Sequence, residues 1–220
     1  MRDLMEQEKF EMEALERLNS ARLLGHLVFS GGTMLRLCFG LNRFSVDIDF
    51  WMVREQNSPL LFKELQTCLS KFYTIKDAKD KFNTIVFEIR SKAFPRSLKI
   101  EIRKEIKKVT FEPAIAYSKY STIQVLLNVV SLNEMMRSKI MAFLDRKEIR
   151  DVFDIEFLLK KGIPLDSPPE LLKKVLKGME SFTKQNYTVK LGSLLEEDQR
   201  KYYVNENFKL LKLAIQEKIR

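Results

Sequence analysis

Apolar and polar positions divide the chain into a front part that mostly alternates and a rear part that repeats at helical spacing. Residues 3–23 predict a helix, with Leu4, Phe10, Met12, Leu15, Leu18 and Leu23 on an irregular apolar face. Leu27-Val28-Phe29 is a short buried strand, broken by Ser30-Gly31-Gly32-Thr33, and Met34 to Cys38 can start a helix. Ser45 to Phe50 alternates strictly: Val46, Ile48 and Phe50 point to one face, Ser45, Asp47 and Asp49 to the other. Ser58-Pro59 opens a helix through Phe72, with Leu61, Leu65 and Leu69 inward. Phe72 to Ile75 predicts a strand, residues 76–81 a charged turn, and Thr84 to Arg90 a further strand. Leu98 to Lys104 alternates again, so these last two strands form a hairpin that extends the sheet beside Asp47 and Asp49. Residues 105–119, with Pro113, read as a poorly patterned connector, and Tyr120 to Val125 as one more candidate strand.

From Leu127 to Ser131 the character turns helical and stays so, which places a boundary between an α/β core, residues 1–128, and a helical domain, residues 129–220. Ser131-Leu132-Asn133-Glu134 is a capping box opening a helix to about Asp145. Glu148 to Lys160 follows, stopping at Gly162, and Pro168-Pro169 starts another helix to Met179. The stretch from about Asn205 to Arg220 is amphipathic, with Phe208, Leu211 and Ile215 inward. The expected fold class is α+β: a small mixed sheet with flanking helices, then a C-terminal helical bundle, with a cleft between.

Composition narrows the function classes. Hydrophobic content of 45% and charged content of 31% in 220 residues fit a soluble globular protein with a sizeable core. Lysine and arginine outnumber acids by 39 to 30, and this +9 charge is spread along the chain, which favours a polyanionic partner, nucleic acid first. A basic surface kept for solubility is the plainer alternative. Cys38 and Cys68 have no metal-ligand spacing and sit in apolar surroundings, implying free thiols in a reducing compartment. No apolar segment reaches the ~18 residues of a membrane span, and the start has no signal-peptide pattern. A cytoplasmic location and no membrane partner are expected.

The chemistry concentrates in residues 29–51. A strand, a glycine turn and a helix N-terminus place backbone N–H groups around an anion, usually a phosphate. Two carboxylates at i and i+2 on one strand face repel each other unless a cation sits between them, and hard divalent Mg2+ or Mn2+ takes oxygen ligands. Gly31, Gly32 and Thr33 would hold the phosphates of an NTP, buttressed by Ser45, and Asp47 and Asp49 would hold the metal. Phosphoryl and nucleotidyl transfer needs those two parts together. Later in the chain, Lys139 lies within the apolar arc of Leu132, Met135, Met136, Ile140 and Phe143, so it either snorkels outward or reaches an anion. Asp151 and Asp154 border an apolar face, and Arg146 or Arg150 can lock them in an internal ion-pair lattice.

G-G-T-x-L-R followed by R-F-S-x-D-I-D-F resembles the polymerase-beta-type nucleotidyltransferases, and more narrowly the AbiEii/AbiGii toxin family of type IV toxin–antitoxin pairs. The run K-I-M-A-F-L-D-R-K-E-I-R-D-V-F-D, from Lys139 to Asp154, matches that family's downstream helical signature. The resemblance implies a third strand carboxylate, for which Glu101 is best placed and Glu88 is the rival; a cross-strand ion pair is the competing reading of either acid. It implies that Lys139 binds nucleotide and Asp154 supports activity, with Asp151 either structural or catalytic. It also implies an RNA acceptor, the tRNA 3′ end, and a cognate antitoxin. Transfer to a protein or small molecule, and a non-catalytic RNA-binding module, are the alternatives.

Overall fold

In the computed structural model, which describes residues 1–220, the alternating segments join one seven-stranded sheet. The front elements are α1 (Arg2–Ser20), β1 (Leu27–Ser30), α2 (Gly31–Phe39), β2 (Asp47–Met52) and α3 (Ser58–Ser70). β3 (Thr74–Asp80), β4 (Thr84–Arg90), β5 (Leu98–Arg103), β6 (Phe111–Tyr117) and β7 (Gln124–Val130) follow. The strand order is β3-β4-β5-β2-β1-β7-β6. The sheet is mixed: β1 runs antiparallel to β2 and parallel to β7, and β2 runs parallel to β5.

The register assigns the two faces. Ile48, Phe50, Phe29, Phe87, Ile100, Ile102 and Val129 share the face on which the helices pack, and all are fully buried. Phe62 of α3 stacks on Phe87 at 5.0 Å and Phe10 of α1 on Phe94 at 4.6 Å. Each such aromatic or aliphatic side chain taken from water contributes about 1.5–3 kcal/mol. Gln7 of α1 donates through Nε2 to the carbonyls of Val46 and Ser97, each at 3.3 Å, and so ties together the segments that enter β2 and β5. Asn57 caps α3, accepting from Leu60 N at 3.0 Å, and α2 stops at Gly40 in the left-handed region.

Two expectations need correction. Residues 76–81 are not a charged turn; all but Lys81 belong to β3, an edge strand whose outward lysines and aspartates include a 2.8 Å Lys79–Asp77 pair. Charges on an edge discourage pairing with other chains, so an edge strand need not look apolar. Residues 111–117 are not connector but β6, the opposite edge, where Pro113 is tolerated. β7 runs to Val130, the last strand before the helical elements begin.

The true connector is 104–110. It must cross β2, β1 and β7, and it does so on the face that carries Asp49 and Trp51. Lys107 N donates to Met52 O at 3.0 Å, Lys107 Nζ lies 5.9 Å from the Trp51 ring, and Ser131 N donates to Thr110 O at 3.0 Å.

The chain divides into two compact units, Met1–Ser131 and Leu132–Arg220. The second is all helical: α4 (Leu132–Arg146), α5 (Ile149–Lys160), α6 (Pro169–Glu180), α7 (Glu197–Glu206) and α8 (Lys209–Lys218), with a π-helical turn at Asn186–Leu191. The last amphipathic stretch is two helices, because Asn207 and Phe208 both adopt positive φ. Phe208, Leu211 and Ile215 are buried as their spacing predicts. Tyr203 is buried too, donating to Glu156 Oε1 at 2.9 Å, and is a packing residue.

Candidate active site

The β1–α2 junction is tight because the side chains around it leave no room for a Cβ. Gly31 has φ +81°, and a methyl placed on it would lie 2.5 Å from Asp49 Oδ2. One on Gly32 would lie 2.6 Å from Arg43 Nη2 and 2.9 Å from Ser45 Oγ. Glycine is required here twice over, for conformation and for space. The turn, Asp49, Arg43 and Ser45 are therefore one assembly. The first backbone N–H groups of α2, at Gly31, Gly32 and Thr33, belong to a helix's first turn and are suited to an anion. The Thr33 hydroxyl is engaged with the Asp47 carbonyl, and Ser30 Oγ donates to the Asp49 carbonyl at 3.2 Å. These two bonds fasten the turn to β2.

Register sets the carboxylates. Asp49 pairs with Glu101 and Asp47 with Lys99 across the parallel β2–β5 ladder, so all four side chains share one face. Glu88 pairs with Lys99 across β4–β5, one strand further from β2, and is exposed. The register thus favours Glu101 over Glu88 as neighbour of the aspartate pair. Glu101 Oε2 is ion-paired with Lys99 Nζ at 2.7 Å. That hydrogen bond, with the further pull of Asp47 and Asp49, raises the Lys99 ammonium above its usual range. No group of three or more His, Cys, Asp or Glu side chains is arranged to hold a metal. Asp47 and Asp49 remain an all-oxygen donor pair beside a close glycine approach, which suits a hard divalent cation. Two surface recesses, of about 460 and 630 Å³, are lined by none of these residues.

Lys139 and Asp154 lie in the helical unit, where they pair with each other. Lys139 Nζ is 2.7 Å from Asp154 Oδ2 and 3.5 Å from Asp151 Oδ1. Lys139 is only 7% exposed and both aspartates are fully buried, so the lysine does not snorkel and is held by these two acids of its own unit. Arg146 grips Asp151 with two bonds, Nε to Oδ2 at 2.7 Å and Nη2 to Oδ1 at 2.6 Å. The internal lattice joining α4 and α5 is therefore present, with Arg146 as the arginine that grips Asp151.

Arg43 is the residue that sequence reasoning passed over. It is 3% exposed, donates to the Phe44 carbonyl at 2.9 Å, and brings a guanidinium to the glycine turn. Its place at the head of R-F-S-x-D-I-D-F was the available signal.

This combination of a mixed sheet, a glycine turn after its first strand and a D-x-D on the next is that of a nucleotidyltransferase core. A candidate nucleotidyltransferase of H. pylori superimposes with a TM-score of 0.57 at 19% identity, covering 95% of this chain and 96% of its own. JHP933 from Helicobacter pylori superimposes at 0.55 and 19% identity, covering 96% and 94%. At that identity the likeness is one of fold. Among curated proteins, none matches. The profile of the nucleotidyl transferase AbiEii toxin family, of type IV toxin–antitoxin systems, matches residues 13–212, and the chain belongs to that family. It is a nucleotidyltransferase. No helix is long and apolar enough to cross a membrane.

Proposed function

We propose that the protein moves a nucleoside monophosphate from an NTP to a hydroxyl of RNA, at a tRNA 3′ end, and that this arrests translation unless a cognate antitoxin intervenes. The observation that carries the reading is the junction of Gly31 with Asp49 on the strand that also bears Asp47. The acceptor oxygen bonds to the α-phosphorus, the bond from that phosphorus to the β-phosphate's bridging oxygen breaks, and pyrophosphate leaves with the electron pair. The hydroxyl proton passes to a carboxylate, for which Glu101, level with Asp49, is the candidate base. The backbone N–H groups of residues 31–33 and the Arg43 guanidinium receive the phosphates. Asp47 and Asp49 would hold Mg2+ or Mn2+, which supplies Lewis acidity to the phosphoryl oxygens when bound. The net charge of +9 favours RNA as acceptor. Lys139 and Asp154 enter as a buried pair whose part in activity is separable by mutation from its part in folding.

The test is incubation with labelled NTPs, magnesium and total RNA. Label should enter RNA, and Asp47→Ala or Asp49→Ala should reduce transfer by more than ~100-fold. Wild type matching Asp47→Ala, with no label in RNA or protein, overturns the reading. Label in protein instead moves the acceptor, and adduct mass then separates nucleotide from phosphate.

A further inference from the structure

The sheet face that carries Asp47 and Asp49 continues beyond the 104–110 connector onto the β6–β7 hairpin, and there all of it except Val130 is open to solvent. Phe111, Pro113, Ile115 and Tyr117 of β6 pair with Val130, Asn128, Leu126 and Gln124 of β7, so these eight share one face. Phe111, Ile115, Tyr117 and Leu126 are 41%, 52%, 57% and 63% exposed. The opposite face of the same hairpin, through Ala116, Val125, Leu127 and Val129, is buried. Folding therefore accounts for one side of the hairpin and leaves an apolar, ring-bearing stripe on the other. An exposed row of this kind marks an interaction site.

Register locates it against the acids. Asp49 pairs with Ser30, Phe29 with Val129, and Val130 with Phe111. Phe111 thus stands in the Asp49–Glu101 row, three strands away, roughly 14 Å at ordinary strand spacing. From Phe111 the stripe runs about 20 Å along β6 to Tyr117.

Charge identifies the occupant. None of the eight residues on this face is ionisable except the tyrosine, and the hairpin's one acid, Glu112, points the other way. Lysines stand at both ends: Lys107 and Lys108 in the connector between the acids and Phe111, and Lys119 two residues past Tyr117. Lys107 also meets Glu105 at 3.0 Å, and Lys119 lies 5.1 Å from the Tyr120 ring. Rings on an open sheet with cations beside them are what unpaired bases and their phosphates require.

We propose that this face of the β6–β7 hairpin is the acceptor platform, binding single-stranded RNA by stacking bases on Phe111 and Tyr117 so that a strand end is delivered toward Asp49. The proposal rests on the RNA-acceptor reading above. It is tested with a fluorescent 12-nucleotide single-stranded RNA and the same sequence as a duplex, titrated with wild type, Phe111→Ala, Tyr117→Ala and the double variant. Both side chains are exposed, so thermal melts should be unchanged. The single strand should bind more tightly than the duplex, and each ring lost should weaken it on the order of tenfold, with NTP binding by calorimetry unaltered.

Variants that bind and transfer to RNA like wild type overturn the platform and leave the transferase reading standing. Ring-dependent RNA binding without any NTP-dependent transfer does the reverse. Variants that abolish self-association in sedimentation while binding RNA normally make the stripe a protein interface, and also overturn the proposal.

Discussion

Glu11 lies on the inner face of α1, fully buried, and neither of its carboxylate oxygens meets a hydrogen-bond donor. Its surroundings are mostly of the wrong sign. Burial pushes its pKa well above the ordinary carboxylate range, Glu8 and Asp47 push further in that direction, and Arg36 of α2 opposes them. Arg36 is itself ion-paired with Glu8, which also accepts from Ser118 Oγ at 2.6 Å. Below the ordinary carboxylate range, folded and unfolded chains both hold the Glu11 proton. As pH rises, the unfolded chain releases it first, so folding stability falls until the folded group ionises as well. Glu11→Gln keeps the shape and removes the titration. Its melting temperature should exceed that of wild type by at least about 2 °C at pH 7–8, with the gap closing near pH 4. A variant that melts lower at pH 8 would mean that the ionised acid has a partner.

At the scale of elements, α4 and α5 are joined by a lattice of four charged side chains, three of them buried: Lys139, Asp154 and Asp151, with Arg146 beyond. Removing one member leaves the remaining buried charges unbalanced. Asp154→Ala leaves the Lys139 ammonium without its 2.7 Å partner and should cost about 3–5 kcal/mol, read by denaturant unfolding. The paired replacement Lys139→Met with Asp154→Leu should recover much of that loss, because an apolar pair suits a buried site. If the double variant is stable and inactive, the pair serves catalysis; if stable and active, it only fastens helices.

The same scale explains what could be read in advance. β2, β4 and β5 are legible because each has one wet and one dry face, so their residues alternate. β3 and β6 are edges: alternating charges hide the first, and Pro113 breaks the reading of the second although Phe111, Ile115 and Tyr117 share one of its faces. Asp47 and Asp49 were visible as a pair within one strand. The pairing of Asp49 with Glu101 was not, because register between strands 52 residues apart depends on the whole sheet. Arg43 escaped notice because its interest comes from proximity to Gly32, a contact that spacing along the chain does not encode.

For the whole molecule, the +9 charge makes a prediction independent of any single residue. RNA affinity measured across 50–200 mM salt should fall with a log–log slope steeper than about −2, as several phosphate contacts on a single strand require. A flat dependence would return the charge to solubility alone. The sheet that presents the acids is also assembled from distant parts of the chain. β1, which leads directly into the glycine turn, takes one neighbour from β2 nearby and the other from β7, with Phe29 opposite Val129. On the ribosome those partners emerge a hundred residues apart, roughly 5–20 s at ordinary elongation rates. Throughout that interval a nascent copy carries its glycine turn on a strand open along one flank, and a fragment released before residue 124 never acquires the strand that closes it. A toxin built this way stays incomplete until most of its own message has been translated.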